Sequence, residues 1–309
     1  GEARALEISA TMLAPGAPSW QRLLGAFGNL HRSQPLGDGE TVAGLDLGAR
    51  VDESSLFDGV TTSPRIETSL SRGIVVASAS LGAGYTPPSL ADQFFHEGVL
   101  VQPNPNLKPE RTRDDFEGRL AIHDAVAGPL VLSGEGSVYR ANIDGMILWL
   151  PDFRFVWSPS NFDVHRSGWE LNGAAALQRA GLDVQGTLTH ADVVYTGSVL
   201  SGQVAYRPRT TAGITSGINL HMTRLEITDQ YVGERRTVAG SGLNVLDPYW
   251  RTDARLTSSR PWGAWQLGGP LGVENLFDRQ AAMLLDYTFP GRTWMVSLRI
   301  RRAGSSHAQ

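Results

Sequence analysis

Apolar and polar residues alternate with a period of two in several segments of the chain. The segment 293–301 is the clearest, because every second residue in it is apolar. Its apolar residues are Trp294, Val296, Leu298 and Ile300. The same alternation occurs in 117–122 and 182–189. A side-chain period of two predicts β-strands with one apolar and one polar face.

Glycine and proline interrupt this pattern at short intervals. The chain contains 35 glycines and 17 prolines, which favours many short strands joined by turns. Counted back from the C-terminus, the pattern predicts about 14 strands. They are residues 3–12, 20–31, 41–52, 63–71, 74–85, 110–122, 129–150, 163–178, 182–195, 203–219, 222–233, 249–259, 264–277 and 291–301. The predicted fold class is therefore all-β.

The connections between these strands alternate between short and long. Short turns are predicted at 72–73, 123–128, 179–181, near 221 and at 260–263. Long connections are predicted at 86–109, 151–162, 196–202, 234–248 and 279–290. Outer-membrane barrels have short periplasmic turns and long extracellular loops, whereas a soluble β-sandwich has no reason to alternate in this way. The pattern predicts an antiparallel up-and-down transmembrane β-barrel whose last strand runs towards the periplasm.

Aromatic residues gather at predicted strand ends, as they do where outer-membrane barrels meet the two membrane interfaces. These residues are Trp149, Phe153, Phe155, Trp157, Tyr249, Trp250, Trp262 and Trp265. The alternative is that they are core aromatics of a soluble sandwich, since aromatic residues are common in strands.

The amino-acid composition argues against several classes of protein. Hydrophobic residues make up 41% of the chain and the mean hydropathy is -0.17. No segment approaches the roughly 18 consecutive apolar residues of a membrane-spanning helix, whereas the alternating strands of a barrel keep the average low. The absence of cysteine excludes disulfides and thiolate sites. A net charge of -4, with Lys108 as the single lysine, gives no general attraction to nucleic acid.

Motifs for catalysis are missing from the sequence. Its seven histidines contain no pair at the spacing of a zinc-binding helix, and there is no phosphate-binding glycine loop or GxSxG segment. Asp114 and Asp115 form a possible carboxylate pair, but the neighbouring Arg111 and Arg113 favour a charge-balanced strand end. We predict no catalytic residue, no cofactor and no metal site, and we do not expect the chain to be an enzyme.

Three segments carry a family resemblance. They are AGYTPPSLADQFF and NPNLKPER within 83–111, GVENLFDR at 272–279 and PGRTWMVSL at 290–298. Lesser matches are LGARVD at 47–52, SPRIETSL at 63–70 and WSPSNFDVHRSGWEL at 157–171, and the order and spacing of the segments agree over most of the chain. In these residues the chain resembles the C-terminal β-barrel portion of TonB-dependent outer-membrane receptors.

The resemblance implies an outer-membrane location in a Gram-negative bacterium and uptake of a scarce nutrient, such as a ferric siderophore or cobalamin. The family barrel has roughly 22 strands around a plug. We expect residues 1–301 to form part of such a wall, and residues 302–309 to form a polar tail. Since no plug precedes Ala3, the plug domain and the inner-membrane energy-coupling complex are expected to be supplied elsewhere.

Ligand-binding residues are expected in the long loops, because a rigid wall positions loops while leaving their side chains free. The candidates carry charge, polarity or an aromatic ring. They are Asp92, Gln93, Phe94, Phe95, His96 and Glu97 in one loop, with Arg235 and Arg236 in another. The alternative for each of them is an ordinary solvated loop residue.

The family motifs also have a structural interpretation. The two prolines of 104–110 fix the backbone where the chain leaves a loop and enters a strand. Asn275 and Asp278 are expected to close a strand end through side-chain to backbone hydrogen bonds.

Three other functions fit the pattern. One is a self-contained pore of about 14 strands, in which the first and last strands pair. Another is a soluble β-rich binding module, and the third is a non-functional remnant of a receptor.

Overall fold

A computed structural model describes residues 2–7, 13–14, 16–18, 20–37, 39–55, 57–152, 154–197, 200–237, 245–285 and 287–302. Three predictions fall partly outside this part of the chain. They concern residues 8–12 of the first predicted strand, Phe153 of the predicted aromatic girdle and residues 303–309 of the predicted tail. No helix in the described ranges is long and apolar enough to cross a membrane.

Most of the described residues form strands. They are β1 Glu2–Glu7, β2 Trp20–Leu36, β3 Thr41–Ser54, β4 Phe57–Arg72, β5 Val75–Thr86, β6 Glu110–Ala127, β7 Leu130–Pro151, β8 Trp157–Leu177, β9 Leu182–Tyr195, β10 Gly202–Gln203, β11 Thr210–Leu220, β12 Thr223–Val232, β13 Arg235–Arg236, β14 Val245–Leu246, β15 Tyr249–Trp262, β16 Trp265–Glu274, β17 Ala282–Leu284, β18 Tyr287–Thr288, β19 Thr293–Val296 and β20 Arg299–Arg302. A short helix, α1, spans Leu90–Phe94, and a 3-10 turn spans Gln178–Ala180.

The predicted fold class is confirmed. The long strands follow one another in sequence order in a single sheet, from β1 to β19, and the pairs β2–β3, β3–β4, β11–β12 and β15–β16 are antiparallel. The predicted alternation of short and long connections is confirmed in part. Two-residue turns at 73–74 and 263–264 contrast with a loop at 87–109, but the connections from β2 to β5 are all short, and so is 152–156.

Several predicted strand boundaries were wrong. Strand β2 continues to Leu36 and not to residue 31, and β4 begins at Phe57 and not at residue 63. Strand β6 continues to Ala127, so the turn predicted at 123–128 shrinks to 128–129. The connection predicted at 151–162 is shorter, because β8 begins at Trp157. Strand β11 begins at Thr210, not at residue 203, because 202–203 form a separate short pairing with β9.

The chain divides into two compact units. Unit 1 contains 1–120, 137–168 and 192–203, and unit 2 contains 121–136, 169–191 and 204–309.

Unit 1 has an apolar and a polar sheet face. A register row on the apolar face contains four residues that are 39–64% exposed, namely Leu30, Leu47, Ile66 and Leu81. The next row, on the polar face, contains His31, Asp46, Glu67 and Ser80. Contiguous exposed apolar surface of this kind marks contact with a membrane or another molecule.

Unit 2 repeats this arrangement. One register row on its apolar face crosses six strands and contains Leu182, Ile218, Leu225, Leu256, Leu271 and Val296. The row beside it, on the polar face, contains Asp183, Gly217, Glu226, Arg255 and Gly272. Six apolar side chains in register form a continuous apolar stripe across the sheet.

Two tryptophans bracket this stripe along β15. Trp250 and Trp262 are 50% and 69% exposed and lie on the same face as Leu256, midway between them. At about 3.3 Å per residue they are about 40 Å apart along the strand, or about 28 Å along the membrane normal if the strand tilts by about 45°. That separation matches the hydrocarbon thickness of a bilayer, about 30 Å.

Asn275 fixes the end of β16 and is 3% exposed. Its Nδ2 donates to the carbonyl oxygens of Arg279 and Pro290 at 3.0 and 3.3 Å, and its Oδ1 accepts from the Arg279 amide at 2.8 Å. Asp278 Oδ1 accepts from the Arg292 amide at 2.8 Å. The predicted strand-closing role of Asn275 and Asp278 is confirmed.

Replacing Asn275 by alanine is expected to lower the free energy of unfolding by about 1–3 kcal/mol, because buried backbone groups lose their partners. Denaturant titration of the protein in lipid vesicles measures this change. Asn106, which is exposed, provides the control, and its alanine variant is expected to unfold like the wild type. Equal unfolding free energies for the two variants would contradict the assigned role.

Candidate functional site

The first candidate loop, 87–109, is built around helix α1. Ser89 caps the helix, since its Oγ accepts from the Asp92 amide at 3.0 Å and donates to Asp92 Oδ2 at 2.7 Å. Trp149 Nε1 donates to Asp92 Oδ1 at 3.1 Å. Asp92 therefore ties the helix to the end of β7.

Gln93 also points into the loop. It is 4% exposed, and its Nε2 donates to the Pro105 carbonyl at 3.4 Å. The Phe94 carbonyl accepts from the Ala14 amide at 2.8 Å, and the Phe95 ring lies 5.6 Å from that of Trp149. These contacts hold the loop in one conformation.

The following residues form an exposed tip. His96 Nδ1 lies 2.9 Å from the carbonyl oxygen of Glu97, and Gln102 Nε2 donates to Glu97 Oε1 at 2.6 Å. Val99 is 92% exposed. Of the predicted loop residues, His96 and Glu97 are thus the ones that face solvent.

A second loop, 152–156, meets this tip. The Trp157 amide donates to the Leu100 carbonyl at 2.8 Å, which brings the two loops together. Phe155 is 72% exposed and Leu100 51%. We call five exposed residues of the two loops the tip surface, and they are His96, Glu97, Val99, Leu100 and Phe155.

Asp152 organises the 152–156 loop. Its Oδ1 accepts from the amides of Val156 and Arg154 at 3.0 and 2.8 Å, and its Oδ2 accepts from Arg154 Nε at 3.0 Å. The hydrogen bond from the Val156 amide is the largest cause that lowers the pKa of Asp152, followed by the bonds from Arg154. The loop is therefore stabilised by an ionised carboxylate.

This lowered pKa predicts an acid-sensitive loop. The stabilisation is present above the ordinary aspartate pKa of about 3.9 and is lost as the pH falls through the lowered folded value. Hydrogen-exchange protection of the Val156 amide should fall in acid, and at neutral pH in Asp152→Ala. Arg154→Ala should keep most of the protection, because the Val156 amide contributes more. Protection unchanged in Asp152→Ala would refute the assignment.

Asn161 anchors the return of the first loop into β6. Its Nδ2 donates to the carbonyls of Lys108 and Gly145 at 2.8 and 2.6 Å, and its Oδ1 accepts from the Lys108 amide at 2.9 Å. Asn104 Nδ2 donates to the Pro159 carbonyl at 2.9 Å. Sequence reasoning missed Asn161, although the segment that contains it was among the weaker family matches.

Arg235, in unit 2, is 5% exposed. Its guanidinium lies 5.1 Å over the Tyr249 ring and donates to the carbonyls of Asp247 and Met283 at 3.3 and 3.4 Å. The neighbouring Arg236 accepts a 2.7 Å hydrogen bond from the Tyr206 amide through its carbonyl. Arg235 therefore links two segments between strands, 233–248 and 275–292, through its side-chain hydrogen bonds.

Charges on the polar sheet faces are paired. In unit 1, Arg50 binds Asp52 at 2.7 Å. In unit 2, Arg224 donates to both carboxylate oxygens of Asp183 at 2.7 and 2.8 Å, and it reaches across Gly217, where a Cβ would meet its guanidinium. Each of these arginines thus lies beside an opposite charge on the polar face.

The possible carboxylate pair at Asp114 and Asp115 is not formed. Asp114 accepts from Asn142 Nδ2 at 2.8 and 2.9 Å, whereas Asp115 lies 3.6 Å from Arg166. Adjacent strand residues point to opposite faces, so the two carboxylates belong to separate interactions. Among the described residues, no group of three or more His, Asp or Glu side chains is arranged to hold a metal ion.

A two-faced antiparallel sheet with short turns and long loops defines an outer-membrane type of β-barrel wall. The chain belongs to the family described as TonB dependent receptor-like, beta-barrel, whose profile matches residues 43–276. A search of curated protein sequences found no match.

Solved structures of receptors share this fold. A mutant of the ferric enterobactin receptor from Pseudomonas aeruginosa aligns with a TM-score of 0.62 and 19% identity, over 94% of this chain and 47% of that chain. The copper transporter OprC aligns with a TM-score of 0.64 and 15% identity, over 92% and 48%. The siderophore receptor PirA from Acinetobacter baumannii aligns with a TM-score of 0.62 and 14% identity, over 93% and 47%. The chain thus spans about half the length of these proteins.

Proposed function

We propose that the chain forms part of the wall of an outer-membrane receptor that takes up a scarce nutrient, such as a ferric siderophore or cobalamin. The apolar faces contact outer-membrane lipid, and the polar faces line the passage. A plug domain and an inner-membrane energy-coupling complex complete the transporter and are supplied outside the residues described above.

The observation that carries this proposal is the family match over residues 43–276. The apolar row through Leu256 supports the proposal independently. Six aliphatic side chains in register form a contiguous apolar patch, which marks a surface that contacts a membrane or another molecule and not water. The proteins named above are a ferric enterobactin receptor, a copper transporter and a siderophore receptor. A metal-containing nutrient is therefore the first class of ligand to test.

The tip surface is the proposed place of first contact with the nutrient. His96 and Glu97 offer polar groups beside the exposed apolar side chains of Val99 and Phe155, a combination suited to a bulky ligand with both characters. We propose that Asp92, Gln93 and Phe94 act by holding this loop, and that Arg235 and Arg236 act in the same way in the 233–248 connection.

Uptake of labelled ferric enterobactin, copper and cobalamin, compared in cells with and without the protein, tests this function. Uptake of one of them is expected to depend on the protein. The double variant His96→Ala with Glu97→Gln should weaken its binding about tenfold, since it removes about 1–2 kcal/mol of polar contacts. The control Glu53→Gln lies on a strand outside the loops and should bind normally. Wild-type binding by the double variant would refute the role of the tip, and unchanged uptake of all three on deletion would refute this set of nutrients.

A further inference from the structure

A chain of hydrogen-bonded polar side chains crosses β6, β7 and β8 in unit 1. Asn142 Nδ2 donates to both oxygens of Asp114 at 2.8 and 2.9 Å. His165 Nδ1 lies 2.8 Å from Asn142 Oδ1. All three side chains are partly exposed, so the row is open to a molecule beside the sheet.

The chemistry of Asn142 fixes the protonation pattern of His165. Both Asp114 oxygens accept from Asn142 Nδ2, so the amide turns its NH2 group towards Asp114 and its oxygen towards His165. The Asn142 oxygen also only accepts, so His165 Nδ1 must carry the hydrogen. The neutral imidazole then has an unprotonated Nε2, which is the form that acts as a general base.

Ser167 follows His165 by two residues on β8 and therefore lies on the same face. Their Cα atoms are about 6.6 Å apart, a spacing that rotation of the two side chains can bridge. The intervening Arg166 points to the other face, where it lies 5.4 Å over the Tyr139 ring. A serine, a histidine and an orienting amide thus lie at neighbouring positions on one face of the sheet.

A cation lies on the same face as the serine. The Asn142–His165 hydrogen bond joins the neighbouring strands β7 and β8, and Arg140 and Ser167 each lie two residues from it on that face. The Arg140 guanidinium lies 6.0 Å from the centre of the Phe116 ring and is exposed. It can approach a negative charge that develops next to Ser167.

We propose that Ser167 and His165, oriented by Asn142, form a hydrolase site for the carboxylic esters of phospholipids. The site lies on the face that carries the exposed side chains of Leu120 and Val138, which are 54% exposed, so an acyl chain can lie along the wall. Arg140 suits either the phosphate of the lipid or the ester oxyanion. This inference goes beyond the proposed transport function and does not depend on it.

The reaction follows serine hydrolase chemistry. Ser167 Oγ attacks the ester carbonyl carbon while His165 Nε2 takes the hydroxyl proton. The tetrahedral oxyanion collapses, the bond to the alcohol oxygen breaks, and His165 returns the proton to the leaving alcohol. Water, deprotonated by His165, then attacks the acyl-serine, and the fatty acid leaves as Ser167 recovers its proton. Asn142 is a positioning residue that keeps the imidazole in the required tautomer.

The test uses the full chain in outer-membrane preparations and in mixed micelles with phosphatidylethanolamine. Fatty-acid release is measured together with labelling by a fluorophosphonate probe, and mass spectrometry locates the labelled residue. We expect labelling at Ser167 and loss of about 10³-fold or more in hydrolysis in Ser167→Ala. Ser137→Ala, on the opposite face of β7, should behave as the wild type. Asn142→Ala should lower kcat about 100-fold or more with little change in KM.

Two results would overturn the proposal. One is a folded wild-type protein that neither releases fatty acid nor carries the probe on Ser167. The other is a hydrolysis rate in Ser167→Ala that equals the wild-type rate. Probe labelling of the wild type decides the question even if a variant fails to fold, and nutrient uptake measured in Ser167→Ala separates this activity from transport.

Discussion

Replacement of Leu256 by arginine is expected to destabilise the membrane-inserted protein by about 2–4 kcal/mol, the cost of a cation at the midplane of an outer-membrane barrel. Leu256 lies midway between Trp250 and Trp262 in the apolar row. Its side chain is 39% exposed, so an arginine would meet lipid without a steric clash. The size of the loss in unfolding free energy therefore shows whether this face contacts lipid or water.

The matched control for this variant is Thr257→Arg. Thr257 is the next residue of β15 and is paired with Arg224 and Pro270 on the polar face. Unfolding in lipid vesicles by guanidinium, followed by tryptophan fluorescence, gives the two free energies. We expect a large loss for Leu256→Arg and a change within about 1 kcal/mol for Thr257→Arg. Equal losses would show that the two faces contact the same solvent.

Substitution of Gly269 by alanine is expected to prevent stable docking of the last strand. Gly269 has a φ of 153°, a conformation that side chains rarely adopt. A Cβ placed there would collide with the Ser297 carbonyl oxygen, where the strand is interrupted between β19 and β20. Backbone strain and the clash together predict a loss of about 3 kcal/mol or more.

Gly272→Ala provides the control for this experiment. It lies on the same strand, but its Cβ would be 3.6 Å from Met295 Cε, an ordinary contact, so we expect a small change. The gel-mobility shift of folded barrels and resistance to protease measure how well each variant assembles. Normal assembly of Gly269→Ala would show that the pairing around Ser297 differs from that described.

Much of the fold could be predicted from the sequence, because strand periodicity is a local property. The alternation of apolar and polar residues in 182–189 correctly predicted β9 (Leu182–Tyr195). Glycines correctly indicated turns such as 73–74 and 263–264. The predicted strand boundaries were wrong where hydrogen bonding between strands extended a strand through residues whose local composition favours a turn. The extension of β6 to Ala127 is one example, since its polar residues near His123 resemble a turn when they are considered alone.

The candidate site was harder to predict, because its geometry joins distant parts of the chain. Asp92 was chosen for its charge, but its partner Trp149 is 57 residues away. Asn142 and His165 are 23 residues apart, so no local motif reveals them. Burial of Gln93 and Arg235 could not be inferred either, since a polar residue in a loop is usually solvated.

Whether this sheet is a membrane wall with one face in lipid can be tested by scanning β15 with single cysteines. The chain has no cysteine of its own, so each introduced thiol is the single reactive one. Positions 252–258 are labelled in isolated outer membranes with a water-soluble maleimide. We predict a period of two, with fast labelling at 253, 255 and 257 and protection at 254 and 256. Equal labelling at all positions, or protection of the opposite set, would contradict the assignment of a lipid-facing side.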